Sequence, residues 1–288
     1  MKILITGATG FIGSRLIIFL NSLGHEVIGL SRNLQLTKAG DKSQYYPYHL
    51  GAPFSSEIIN FLPEVVIHLA WEGIPNFSRE MSIINLNANI RFLQELEKIT
   101  SIKKIIISGS CWEYSGSSGA CFETDISIPN TYFVWAKYSV HSLFKIFCDE
   151  RDLYFDWLRI FYVYGPGQRA ASLIPTILES IKHGAMPKIN NIFSANDYIY
   201  IDDVVHAISR AVDIDKSLGI VNIGSGVLTQ TKEVLRICQN LYDLPMPTED
   251  NSASSVGIYA NISKAKTLMD WIPQYSLYQG IRETYKVF

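Results

Sequence analysis

Short apolar runs alternate along the chain with longer stretches in which apolar positions recur every three to four residues. Ile3-Leu4-Ile5, Glu26 to Leu30, Val65 to Leu69, Lys104 to Ile107 and Phe155 to Phe161 are predicted strands. Arg15-Leu16-Ile17-Ile18-Phe19-Leu20 opens a helix, and Ile83 to Ile99 and Val134 to Cys148 are predicted amphipathic helices. Strands and helices that alternate in this way bury both faces of a parallel sheet. The expected fold class is therefore α/β, with a doubly wound parallel sheet. Beyond Tyr164-Gly165-Pro166-Gly167 the pattern loosens into helices over Ile174 to Lys182, Asp203 to Val212 and Lys232 to Leu241, separated by short strands and turns. That half is expected to be a smaller, mixed α/β, substrate-binding domain. The expected division is 1–161 and 162–288, with residues 198–223 returning to the first domain. The polar run Asp250-Asn251-Ser252-Ala253-Ser254-Ser255 reads either as a loop near the site or as an ordinary surface loop.

The junction between the first strand and first helix carries the most specific chemistry. Gly7-Ala8-Thr9-Gly10-Phe11-Ile12-Gly13 follows an apolar strand and leads directly into the helix. In such a turn one glycine permits the tight reversal, one lets backbone approach phosphate, and one lets the helix pack close to the sheet. The helix N-terminus then offers free N–H groups and a positive dipole end to an anion. A second strand completes the unit, so the chain is expected to bind NAD or NADP. At the end of that second strand an acid would hold both ribose hydroxyls of NAD, and a basic residue would accommodate a 2′-phosphate. The chain has Ser31-Arg32-Asn33, which favours NADP(H) over NAD.

Composition narrows the remaining classes. The 288 residues are 48% hydrophobic, enough for a substantial core, and carry a formal net charge of −2 with no basic run. No nucleic-acid partner is expected. No apolar stretch approaches the roughly 20 residues of a membrane span, and the early strand and Gly7 leave no room for a secretory leader. A cytoplasmic protein without a membrane partner is expected. Cys111, Cys121, Cys148 and Cys238 show no C-x-x-C spacing, and no histidine pair flanks an acid at metal-ligand spacing. Neither a disulfide framework nor a metal site is expected.

Several stretches, taken in order, resemble the extended short-chain dehydrogenase/reductase family, in particular its nucleotide-sugar epimerases, dehydratases and reductases. They are Gly7 to Gly13, Val66-Ile67-His68-Leu69-Ala70, Ile107-Ser108-Gly109-Ser110 with Tyr114, Arg159 through Tyr164-Gly165-Pro166, Tyr200-Ile201-Asp202-Asp203-Val204, Asn222-Ile223-Gly224, and Ile262-Ser263-Lys264-Ala265-Lys266 with Trp271 and Pro273. The resemblance spans essentially the whole chain and implies a Rossmann-type first domain. It adds Leu50, Leu69, Ala70 and Val163 to the cofactor-contacting positions, beside Gly7, Thr9, Gly10, Phe11, Ile12, Gly13, Ser31 and Arg32. It also implies a catalytic hydroxyl at Ser110 and a lysine at Lys137 that binds the cofactor ribose and lowers the pKa of a tyrosine one helical turn earlier.

That tyrosine is missing. Four residues before Lys137 stands Phe133, which has no proton to give, and Tyr132 is turned by about 100° around a helix of 3.6 residues per turn. Two explanations fit: a tyrosine-to-phenylalanine variant, or a natural member that has lost or relocated its acid. The first is preferred because Ser110, Lys137 and the glycine turn all remain.

Within the family, dehydratases place an Asp-Glu pair after the hydroxyl, whereas here Cys111-Trp112 follow. The 4-epimerases usually have an acid after the second strand. The resemblance therefore implies an NADPH-dependent reductase of a nucleotide-linked 4-keto-6-deoxyhexose. An NAD-dependent 4-epimerase, a non-catalytic NADP-binding module and a simple ketone reductase are the alternatives. Two positions depart from the pattern: Tyr162 replaces an asparagine, and Asn196 replaces a pyrophosphate-binding arginine, leaving Arg169 or Lys188 to anchor a diphosphate. Trp71, Glu72, Cys111, Trp112, Tyr162 and Arg169 are the expected substrate-contacting residues, with Cys111 better suited to packing in the strand turn than to catalysis. Family members commonly form homodimers through two helices per subunit, and Ile83 to Ile99 with Tyr138 to Cys148 have the apolar content for this.

Overall fold

Ile3, Leu4 and Ile5 are fully buried, which requires that both faces of the first strand be covered. In the computed structural model, which describes residues 1–36, 43–242, 244 and 256–288, that strand lies inside a seven-stranded sheet. The Asp250 to Ser255 run lies outside the described residues. The chain runs β1 (Lys2–Thr6), α1 (Gly13–Ser22), β2 (Glu26–Ser31), β3 (Gln44–Pro47), α2 (Ser56–Asn60), β4 (Val65–His68), α3 (Arg79–Leu96) and β5 (Lys104–Ser110). It continues with β6 (Gly119–Cys121), α4 (Tyr132–Glu150), β7 (Tyr154–Ile160), β8 (Tyr162–Tyr164), α5 (Leu173–Lys182), β9 (Ser194–Tyr200) and α6 (Ile201–Val212). The last elements are β10 (Gly219–Ile223), β11 (Leu228–Gln230), α7 (Thr231–Asn240), β12 (Val256–Ala260), α8 (Ser263–Met269) and α9 (Leu277–Tyr285).

The large sheet has the order β10-β7-β5-β4-β1-β2-β3, and the ladders joining β5, β4, β1, β2 and β3 are parallel. Its core is built from Leu4, Ile28, Val66, Phe92, Ile105, Val140, Phe144 and Trp157. The two long helices are fixed at their starts by side-chain caps. Ser78 accepts from the Met81 N–H at 3.3 Å, and Thr131 accepts from the Val134 N–H at 3.2 Å. Because Thr131 caps α4, Tyr132 is its first residue and Phe133 and Lys137 follow in regular helical register.

The chain divides into two compact units. The first contains Met1–Ser115, Ile126–Arg159 and Val205–Val221; the second contains Gly116–Asp125, Ile160–Val204 and Asn222–Phe288. This differs from the division at 161 expected from sequence. Residues 116–125 belong to the second unit because β6 pairs with β12 there, and the returning segment is 205–221 rather than 198–223. The second unit holds the sheet β11-β9-β12-β6, with β8 alongside β9. Asp197 centres it, accepting the Ser225, Gly226 and Ala260 N–H groups at 2.6, 3.0 and 3.0 Å.

A buried ion pair joins the neighbouring strands β5 and β7 of the first unit. Lys104 lies 2.9 Å from the Asp156 carboxylate, with side chains 3% and 0% exposed, and donates to the Ala211 and Ile214 carbonyls at 2.6 and 2.7 Å. Removing one member of such a pair strands the other charge in the interior. Lys104→Met is expected to lower unfolding free energy by about 3–5 kcal/mol in urea titrations. A loss below about 1 kcal/mol, the level of an exposed pair, would contradict this.

Candidate active site

The glycine turn between β1 and α1 is tighter than any side chain permits. Gly7 has φ of 70°, and a Cβ placed on it would lie 3.0 Å from the Ala70 nitrogen. A Cβ on Gly13 would lie 2.2 Å from the Gly7 carbonyl oxygen. Gly10 N–H donates to that same oxygen at 2.9 Å, closing the turn. Helix α1 has no side-chain cap and no acid in its first turn, and the N–H groups of Phe11 and Ile12 meet no acceptor among the described residues. Exposed donors at an uncapped helix start, on backbone with no Cβ in the way, are what a pyrophosphate requires. The residues present therefore fit a dinucleotide.

A cavity of about 250 Å³ opens beside the turn. Of the positions expected to contact cofactor, Gly7, Thr9, Gly10, Ser31, Arg32, Leu50, Leu69 and Ala70 line it. Trp71 and Glu72, expected from sequence to face a sugar, line the same cavity. Thr6, Asn33, Leu36 and Tyr48 line it as well and were missed. Thr9 and Ser31 share a hydroxyl hydrogen bond of 2.5 Å across it. The guanidinium of Arg32 lies 3.3 Å from the Glu72 carboxylate.

A buried polar chain underlies this cavity. The Thr6 hydroxyl and His68 Nδ1 are 2.7 Å apart, and His68 Nε2 and Asn89 Oδ1 are 2.8 Å apart. Asn89 donates its amide to the Asn85 carbonyl at 2.9 Å, so its Oδ1 must accept from His68. His68 is thus the Nε2–H tautomer, and its Nδ1 accepts from Thr6. Thr6 Oγ1 in turn accepts the Ala70 N–H at 3.2 Å. Burial, with the Lys137 charge adding to it, pushes the His68 pKa down to about 3, so the ring is neutral throughout the working range.

Ser110 ends β5 and caps the following turn, where its Oγ accepts the Trp112 N–H at 3.2 Å. Its own N–H donates to Glu113 at 2.7 Å. The buried Glu113 carboxylate also accepts from Trp157 Nε1 at 3.0 Å and Arg159 Nε at 2.9 Å. Glu113 was not expected from sequence, although the Ser-x-x-Glu spacing of a capping box was there to be read. Lys137 is buried, donates to the Ser108 carbonyl at 2.8 Å, and sits 4.1 Å from the centre of the Trp71 ring.

Phe133 is buried in an aromatic cluster. Its ring packs against Trp71 at 5.5 Å, Phe77 at 4.8 Å and Trp112 at 5.9 Å between centroids. Phe77 carried no sequence signal, because it lies in a loop. Tyr132 is 52% exposed and lines a separate groove with Ile83, Pro129, Asn130, Thr131 and Trp135. The regular start of α4 therefore leaves Phe133, not a tyrosine, one turn before Lys137. Cys111 is buried at 3% exposure. In the second unit, Val163 and Tyr162 lie half-buried on β8, where Tyr162 packs against Tyr198 at 6.2 Å, while Arg169 and Lys188 are exposed. Asn196 is half-buried on β9, its amide 3.4 Å from the Tyr198 hydroxyl. Among the described residues no group of three or more His, Cys, Asp or Glu could hold a metal ion, and no helix is long and apolar enough to cross a membrane.

The parallel sheet and its glycine-rich strand-to-helix turn define a Rossmann-type α/β protein. Residues 3–224 match the NAD dependent epimerase/dehydratase family, and the chain belongs to it. It is 26% identical to UDP-glucose 4-epimerase of Mycolicibacterium smegmatis, over 100% of this chain and 98% of the relative. It is 27% identical to dTDP-4-dehydro-6-deoxyglucose reductase of Escherichia coli, over 99% and 96%. The fold matches that of UDP-glucuronic acid 4-epimerase from Bacillus cereus in complex with NAD, with a TM-score of 0.86 and 24% identity over 100% of this chain and 98% of that one.

The buried lysine sets a pH signature. Burial of its charge lowers the Lys137 pKa from 10.5 to about 8, partly offset by the Glu113 carboxylate. Between these values the unfolded chain holds a proton that the folded chain has released, so this group makes stability rise with pH there. Denaturant unfolding from pH 8 to 10.5 is expected to show that rising contribution as the difference between the wild type and Lys137→Met. A difference that stays flat across the window would contradict it.

Proposed function

We propose that this chain is an NADPH-dependent reductase of a nucleotide-linked 4-keto-6-deoxyhexose, acting in deoxysugar-nucleotide biosynthesis. The observation that carries the reading is Arg32, which directly follows β2 and lines the cavity beside the glycine turn, where that strand end supplies no acid. The likeness to a dTDP-4-dehydro-6-deoxyglucose reductase over nearly the full length supports it. When bound, the nicotinamide supplies a hydride. Ser110 Oγ orients the ketone oxygen, and the Lys137 ammonium, held by the Ser108 carbonyl, stabilises charge that develops there. The aromatic faces of Trp71 and Trp112 suit the apolar side of a deoxysugar. Arg169 and Lys188 are exposed cations available to a diphosphate.

Phe133 stands where the proton donor is expected, so this chain binds its ligands and turns over slowly. Loss of a general acid removes about 10²–10⁴ in rate. Phe133→Tyr is expected to raise NADPH oxidation by that factor, measured against a panel of nucleotide-linked 4-keto-6-deoxysugars, with NADPH affinity little changed. Equal activity of the two proteins would place the proton donor elsewhere.

A second reading, an NAD-dependent 4-epimerase, is favoured by the likeness to UDP-glucose 4-epimerase and by the Glu72 carboxylate in the cofactor cavity. Stoichiometric consumption of NADPH in the same assay separates the two.

The chain is further proposed to be a homodimer. Ile83, Ile84 and Ile90 on α3, and Trp135, Tyr138 and Ile146 on α4, are 38–59% exposed, more apolar surface than solvated helices usually present. Light scattering is expected to give twice the chain mass, reduced to one by Ile84→Glu with Trp135→Glu. A wild-type monomer at every concentration would rule this out.

A further inference from the structure

The arginine that follows β2 does not face the cavity alone. Glu72, four residues beyond the end of β4, lines the same cavity and brings its carboxylate to 3.3 Å from the Arg32 guanidinium. Neither side chain has another ionic partner among the described residues. Arg32 is about half exposed, whereas Glu72 is three-quarters buried and held from behind. Its N–H donates to Asn85 Oδ1 at 2.7 Å, and its carbonyl accepts from Asn85 Nδ2 at 3.1 Å. Asn85 is itself fully buried on α3 and receives the Asn89 amide through its carbonyl, so the anchor continues through His68 to Thr6 under the glycine turn. The backbone that carries Glu72 is thereby anchored, and its carboxylate is the more buried member of the pair, the guanidinium the more exposed.

We propose that Glu72 is the specificity-determining residue of the cofactor site and acts by opposing Arg32. This rests on the reading of the cavity as the seat of the cofactor's adenosine end. A 2′-phosphate drawn to Arg32 must compete with the carboxylate for the guanidinium, and then lies near a largely buried negative charge. A 2′-hydroxyl meets the opposite situation, since it is a neutral donor and a carboxylate is its natural acceptor. Glu72 thus supplies from the β4 side the acid that the end of β2 lacks, and it narrows the preference for NADPH that Arg32 alone would impose.

Equilibrium fluorescence titrations with NADPH and with NADH on wild type, Glu72→Gln, Glu72→Asp, Arg32→Ala and the Glu72→Gln/Arg32→Ala double variant test this. Circular dichroism confirms that each is folded. Glu72→Gln is expected to raise the NADPH-to-NADH affinity ratio about threefold to tenfold, with Glu72→Asp remaining close to wild type. The effect of Glu72→Gln on NADPH is expected to shrink to the direct repulsion alone when Arg32 is already alanine. An unchanged ratio in Glu72→Gln, with NADPH binding still weakened in Arg32→Ala, would overturn the role of Glu72 and leave the NADPH reading standing. NADPH binding unaffected by Arg32→Ala would overturn the NADPH reading, and this inference with it.

Discussion

The structure of the site depends on one close approach of backbone to backbone. Between β1 and α1 the chain turns so tightly that the Gly7 carbonyl occupies the space a Cβ of residue 13 would need, while Gly7 itself abuts the start of the β4 loop at Ala70. Only with hydrogen in both places can α1 begin against the sheet and present its first N–H groups at the strand ends. The cavity walls follow from this contact. Thr9, Ser31, Ala70 and Glu72 are neighbours because β1 lies between β2 and β4 and their loops emerge at one edge.

Behind that edge the interior is polar where it must be and saturated where it is polar. Thr6, His68, Asn89 and Asn85 form one continuous set of donors and acceptors with a single consistent direction, which fixes the tautomer of the imidazole and pins the backbone of residue 72. The Glu113 carboxylate does the same for Ser110, receiving its N–H together with Trp157 and Arg159. The groups proposed to act on substrate and cofactor are therefore held by buried hydrogen bonds, which rigid chemistry requires and a loop by itself cannot supply.

Elements whose apolar period is long and regular were legible in the sequence. The helix read over Ile174 to Lys182 is Leu173–Lys182, and the strand read over Glu26 to Leu30 is Glu26–Ser31. The glycine turn was legible because few other residue types could occupy it. What escaped was carried by contacts between distant segments. Nothing local to Glu72 announces that it faces Arg32 across β1, and nothing local to Phe77 announces that its ring completes a cluster with Trp71, Trp112 and Phe133. The position of residues 116–125 escaped for the same reason, since a three-residue strand has no periodicity and its partner lies more than a hundred residues away.

The proposed seat of the dinucleotide is the β1–α1 turn with the cavity beside it. Amide hydrogen exchange, compared with and without NADPH, reads this directly at the backbone groups concerned. Slower exchange is expected, concentrated at residues 9–14, with smaller effects at 31–33 and 69–72. Unaltered exchange at 9–14 in the presence of saturating NADPH and NADH would contradict it.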